Sequence, residues 1–137
     1  MSFPTHFPPP ITTYEFYVLL ALSQDDAHAY RIKTKIWKDS LGAVKLGDGT
    51  IYGLVRRMCE RGLIEMAVDK PIGHSGKSRI TYSLGHHGRT ALRYDLERLK
   101  HALAIAESAG LMGEPVPTDP DLDRLLQEFT LSQTPLR

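Results

Sequence analysis

Residues 47–62 carry two sets of side chains that alternate with a helical period. Ile51, Leu54, Val55 and Met58 recur at i, i+3, i+4 and i+7 and share one apolar face, while Thr50, Tyr52, Gly53, Arg56, Arg57 and Glu60 occupy the other. Guanidinium groups chelate guanine or pin phosphates, and small or aromatic residues can lie against base edges. A helix with this outer face therefore has the chemistry to enter a DNA major groove. An ordinary amphipathic helix with a charged outer face has the same periodicity, so the segment that follows must discriminate.

That segment is rich in β-formers. Leu63 to Val68 and Arg79 to Leu84 predict two short strands, joined by the polar, glycine-rich Gly73-His74-Ser75-Gly76-Lys77. His74, Lys77 and Arg79, at or beside the loop tip, could grip a phosphate backbone while the preceding helix reads the groove, a division between positioning and specification. Two coordinated basic elements favour nucleic acid over a merely soluble surface.

Other chemistries fit less well. Gly76-Lys77-Ser78 resembles the end of a phosphate-binding loop, but the motif needs glycine where Pro71 stands and a helix where strand residues follow. His86-His87 lacks a metal-ligand spacing, because adjacent helical residues point in different directions, and a surface cap is expected instead. The single cysteine, Cys59, excludes an internal disulfide and reads as a small semi-buried hydrophobe, with a redox role only if nearby Arg56, Arg57 and Arg61 favoured its thiolate. No paired carboxylates, nucleophile elbow or metal constellation appears, so the expectation is a non-enzyme without cofactor or metal.

The remaining elements must position this helix and hairpin. Prolines 4, 8, 9 and 10 predict a flexible arm over residues 1–11. Tyr14, Phe16 to Leu20 and Leu22 predict a helix that is apolar on most sides, to be buried in the core or against a second subunit. Asp26 is expected to cap a second helix from about Ala27 to Ser40, with Ala29, Ile32 and Ile36 inward and Arg31, Lys35 and Lys38 outward. Tyr30 and Trp37 are expected near that helix's core side; together with Tyr14, Phe16 and Tyr17 they could line a pocket for an aromatic effector or simply pack. A fourth helix is expected from about His86 to Ala109, where Leu92, Leu96, Leu99, Leu103 and Ala106 keep the spacing of a helix–helix seam. A single projecting helix cannot bury such a seam alone, which predicts a homodimer. Prolines 115, 117 and 120 mark a linker, and Leu122, Leu125, Leu126 and Phe129 trace a short last helix.

The order helix, helix, helix, hairpin is that of a winged helix. The expected fold class is mainly α with a small β-hairpin (α+β), a winged helix-turn-helix with a C-terminal dimerisation helix. The expected divisions are an arm (1–11), a winged DNA-binding domain (12–85), a dimerisation helix (86–111) and a linker with a short helix (112–137). At 137 residues a second, catalytic domain is not expected. Its net charge is only +1, yet from His28 to His101 fifteen Lys and Arg face seven Asp and Glu, leaving acidic ends around a basic body. No apolar run is long enough to cross a bilayer and no secretory signal is evident, so a cytoplasmic protein without a membrane partner is expected.

Across residues 14–100 the sequence resembles PadR-like regulators. The likeness lies in Val18-Leu19-Leu20-Ala21-Leu22, His28-Ala29-Tyr30-Arg31-Ile32, the run Gly49 to Met58, Glu60-Arg61-Gly62-Leu63-Ile64-Glu65, and Tyr82-Ser83-Leu84 before Gly88-Arg89. The chain departs from the family's usual pattern at Ala29 (commonly Gly), Gly47-Asp48 (Ser-Pro) and Gly85 (Thr). Each change is tolerable: glycine caps a helix nearly as well as threonine, and Asp48 suits the positive end of a helix. The resemblance implies a winged helix, dimerisation through the helix after the wing, and repression of promoters, often relieved by a small molecule. It implies DNA contacts for Thr50, Tyr52, Arg56, Arg57 and the wing around Lys77. The expected partners are thus double-stranded DNA carrying a roughly palindromic operator, a second copy of the chain and possibly a small aromatic effector. A winged helix that binds a partner protein, or senses an aromatic ligand without DNA, is the alternative.

Overall fold

A computed structural model of the chain describes residues 7–69 and 79–133. Among them are five helices, α1 (Thr13–Gln24), α2 (Ala29–Asp39), α3 (Asp48–Glu60), α4 (His86–Ser108) and α5 (Pro120–Gln133), and two strands, β1 (Ile64–Asp69) and β2 (Arg79–Leu84). Contacts divide the chain into two compact units, residues 1–102 and 103–137.

The first unit is built on α1 to α3 and the hairpin. Thr12 caps α1 in a reciprocal box: its Oγ1 accepts from the Glu15 amide at 3.1 Å, and its own amide donates to Glu15 Oε1 at 2.9 Å. Val18, Leu19, Ile32, Ile36, Ile51, Val55, Met58 and Ile64 are essentially removed from solvent and fill one core. The strands pair antiparallel, with Ile64 opposite Leu84, Met66 opposite Tyr82 and Val68 opposite Ile80. Ile64 and Tyr82 lie in the core, whereas Met66 and Val68 are exposed on the outer part of the hairpin. This is the expected α+β winged helix.

Two local expectations are corrected. The second helix starts at Ala29, with His28 and not Asp26 at its N-cap, because the backbone of Ala27 is already in use. Its amide donates to the Tyr82 carbonyl at 3.0 Å and its carbonyl accepts from the Tyr82 amide at 2.8 Å, a one-residue third rung on the hairpin. Tyr30 and Trp37 do not lie on the core side of α2; both are well exposed. Ile32 and Ile36 fix the inward stripe, and at about 100° per residue a position two before or one after it turns away from the core.

α3 ends where the sequence places its stop. Gly62 adopts φ +76°, its amide reaches the Cys59 carbonyl at 3.0 Å, and the Leu63 amide reaches the Met58 carbonyl at 2.9 Å. Leu63 is spent on this turn, so β1 begins one residue later than expected. α4 docks on the same turn. A Cβ on Gly88 would stand 2.0 Å from the Leu63 carbonyl oxygen, so only glycine lets the helix approach this closely, and Leu92 then enters the core.

In the second unit, Asp119 accepts from the amides of Asp121 and Leu122, both at 3.1 Å, and so caps α5. Leu122, Leu125 and Leu126 are about half exposed along this helix.

Candidate nucleic-acid interface

α3 is two-faced as its periodicity predicts. Ile51, Leu54, Val55 and Met58 are at most 6% exposed, whereas Thr50, Tyr52, Arg56 and Arg57 face outward and Gly53 is half-buried between them. The face is held from behind by core packing and at its start by Lys33 of α2, whose Nζ lies 2.6 Å from Asp48 Oδ1. The hydrogen bond to that carboxylate raises the Lys33 pKa above the ordinary lysine value. Arg56 reaches Glu60 at 3.7 Å in a solvent-exposed pair that constrains it little and leaves its guanidinium available.

Gly53 is the informative position on this face. A glycine inside a helix is about 1 kcal/mol less favourable than alanine. Among the described residues nothing requires it: an added Cβ would meet only the movable Arg57 guanidinium, at 3.3 Å. Bare backbone on an outward face is what close approach by an external body uses.

The hairpin joins this face through a groove of about 580 Å³ lined by His28, Ala29, Tyr30, Arg31, Tyr52, Arg79, Ile80 and Tyr82. The N-terminus of α2, the outer face of α3 and the start of β2 thus converge, with Tyr52 and Arg79 on one wall system. His28 ties the groove together: its Nδ1–H donates to the Ile80 carbonyl at 3.1 Å. Lys33 Nζ sits 5.0 Å from the centre of the Tyr30 ring. Of the expected wing residues, Arg79 is exposed at the start of β2, while His74 and Lys77 lie outside the described residues. Sequence reasoning did not place His28, Tyr30 and Arg31 at this surface. The available signal was that Arg31 points away from the Ile32 and Ile36 stripe at the N-terminal end of its helix.

The leucine seam of α4 is not uniform. Leu92 is 4% exposed and belongs to the core of its own chain, whereas Leu96, Leu99 and Leu103 are 40–53% exposed and Ala106 is half-buried. The close contact at Gly88 accounts for the buried end, because it presses the first turns of α4 onto the core of its own chain. Phe16 and Tyr17, in edge-to-face contact at 5.3 Å, border a cavity of about 270 Å³ together with Pro10, Ile11, Thr13, Asp95, Arg98 and Leu99. Tyr14, Tyr30 and Trp37 take no part in it.

Burial raises the Cys59 thiol pKa, with the Glu60 carboxylate adding to the effect, so the neighbouring arginines do not activate it. His86 and His87 are exposed, with ring centroids 5.6 Å apart, and among the described residues no group of three His, Cys, Asp or Glu is placed to hold a metal ion. Among the described residues no helix is long and apolar enough to cross a membrane.

A family model described as the transcriptional regulator PadR-like family matches residues 18–94. In structure the chain is similar to a PadR family transcription regulator from a hypervirulent Clostridium difficile. That match has 20% identity and a TM-score of 0.59, covering 71% of this chain and 97% of that one. It is also similar to Bacillus subtilis PadR, solved in complex with operator DNA, with 20% identity, a TM-score of 0.57 and coverage of 92% of this chain and 62% of that one. A PadR-like transcriptional regulator from Bacillus cereus matches with 26% identity and a TM-score of 0.53, over 73% of this chain and 92% of that one. No curated protein matches the chain in sequence at a significant level.

Proposed function

The chain belongs to the PadR-like family of transcriptional regulators, and from that premise we propose that it is a cytoplasmic repressor that binds a roughly palindromic operator as a homodimer. The observation that carries the proposal is the outer face of α3, where Thr50, Tyr52, Arg56 and Arg57 surround a glycine whose added Cβ would meet, among the described residues, only the Arg57 side chain. In this reading α3 lies in the major groove with Arg56 and Arg57 directed to guanine edges or phosphates, and Gly53 lets the backbone approach the DNA. Arg79, joined by His74 and Lys77 of the wing, holds the flanking phosphates, and Arg31 extends that grip from α2. The complex of Bacillus subtilis PadR with operator DNA supports this assignment by likeness of fold.

Two copies are joined through the part of α4 that begins at Leu96, which brings two α3 helices about 34 Å apart, one turn of the duplex. The division of labour is then an arm at 1–11, a reading domain at 12–85, a joining helix at 86–111 and a linker with a terminal helix at 112–137. Release by a small aromatic effector is supported by the cavity beside Phe16 and Tyr17, whose largely apolar wall also carries the Asp95–Arg98 ion pair. A thermal-shift screen of phenolic compounds tests that point.

The decisive experiment is a binding titration of the Arg56→Ala/Arg57→Ala chain. Specific affinity should fall by about 100-fold or more, each lost bidentate contact being worth roughly 1–3 kcal/mol. The melting temperature should hold, because both side chains are exposed. Retained operator affinity counts against the assignment and favours a winged helix that binds protein.

A further inference from the structure

Among the described residues two carboxylates are buried in the first unit, Glu15 and Asp95, each 7% exposed. Burying a carboxylate is unfavourable unless it is paired and hydrogen-bonded, so the position of each pair is informative. Glu15 divides its two oxygens: Oε1 accepts from the Thr12 amide, and Oε2 pairs with Arg61, the residue that caps the C-terminus of α3. Asp95 pairs with Arg98 on its own helix, and the other nitrogen of Arg98 donates to the carbonyl of Pro8. The Arg98 guanidinium also lies 5.5 Å from the centre of the Phe7 ring, which packs edge-on against Tyr94 at 5.1 Å.

Both buried charges thus hold the same short segment. One end, at Phe7 and Pro8, is gripped by α4; the other, at Thr12 and Glu15, grips the end of α3. Between them stand Pro8, Pro9 and Pro10, whose rings fix φ and make the backbone a stiff spacer, and Ile11, which packs on the core. α4 is already anchored near its start by the Gly88 contact with Leu63. Leu92 adds a core contact one turn on, but both anchors lie at the base of the helix and fix its direction less firmly than a hold further along. A hold at Tyr94 to Arg98, about 10–15 Å beyond Gly88 at 1.5 Å per residue, fixes its direction.

We propose that residues 7–15 are a strap that locks α4 to α3, so that Arg98 and Arg61 act as positioning residues that set the half-site spacing the dimer accepts. The inference rests on the reading that α4 joins two DNA-binding copies. If α4 defines the dimer axis, its angle to α3 decides how far apart, and in what relative rotation, the two α3 helices meet the duplex. Neither arginine needs to touch DNA for this.

The test uses the full-length chain and a duplex recovered by selection from a random-sequence pool, compared with versions carrying one base pair more or less between the half-sites. Each such change rotates one half-site by about 35° and moves it by about 3.4 Å. The wild-type protein should lose about 30-fold or more in affinity on the altered duplexes, comparable to a mismatched contact. Arg98→Gln and Arg61→Gln should cut that discrimination to about threefold, while the slope of log affinity against log salt concentration stays unchanged because no phosphate contact is lost. Pro9→Gly loosens the strap without removing either arginine, so it should relax spacing discrimination even if an arginine variant fails to fold. Variants that keep the wild-type spacing preference overturn the strap, as does an Arg61→Gln salt slope reduced by about one contact, which would make Arg61 a DNA ligand. A wild-type chain from which no duplex can be selected defeats the DNA-binding reading itself.

Discussion

α3 and α4 both carry an apolar stripe and treat it in opposite ways. α3 satisfies its stripe within its own subunit: Ile51, Leu54, Val55 and Met58 are buried, and what remains outside is polar, cationic and, at Gly53, bare backbone. α4 does so only at Leu92, then leaves Leu96, Leu99 and Leu103 substantially in water. A helix whose apolar face is complete can offer its other face to a polyanion without being drawn into protein contacts. A helix whose apolar face is unfinished is stabilised by finding another hydrophobic surface, and a second copy of itself is the surface always present at equal concentration. The pattern therefore separates a face suited to nucleic acid from a face suited to protein.

Attacking the unfinished face should give the largest effect. Leu96→Asp/Leu99→Asp is expected to yield monomers in size-exclusion chromatography with light scattering. It should also cost about 1,000-fold in operator affinity, since the second half-site would no longer bind as part of one molecule. A dimer that survives both aspartates moves the interface elsewhere. Gly88→Ala comes next, because it strikes the contact that seats the base of α4 on the α3–β1 turn. Its Cβ cannot be accommodated against the Leu63 carbonyl, so a loss of about 2–3 kcal/mol is expected in chemical denaturation. Stability unchanged by this substitution would mean that α4 is not held on the α3–β1 turn. The smallest effect is the most discriminating. Gly53→Ala should stabilise the fold by about 0.5–1 kcal/mol while weakening operator binding about tenfold, opposite signs that a purely structural glycine cannot produce.

The stripe on α3, the stop at Gly62 and the course of the hairpin were legible in the sequence because each depends on residues a few positions apart. What was not legible depends on distant partners. Asp26 has the chemistry of a cap, but Ala27 is claimed by Tyr82, and no local pattern announces that exchange. Tyr30 and Trp37 are large and aromatic, which argues for burial, yet the stripe of Ile32 and Ile36 leaves them outside. The seam on α4 was read as continuous because its spacing is regular; Leu92 falls out of it only because Gly88 brings the helix base onto the core. Glu15 with Arg61 and Arg98 with Pro8 join residues 46 and 90 positions apart, beyond the reach of periodicity.

The single rung between Ala27 and Tyr82 also bears on how the protein assembles. It fastens the link between the first two helices to a strand that is synthesised only after the third helix is complete. The connection at Ala27 gains its backbone partners only when the strand arrives, so part of the loop-closure entropy is met late, and the helices and hairpin are expected to open together as one block. In native-state hydrogen exchange the Ala27 amide, although it sits in a connection between helices, should be as slow as Tyr82 and should open only when the whole block does.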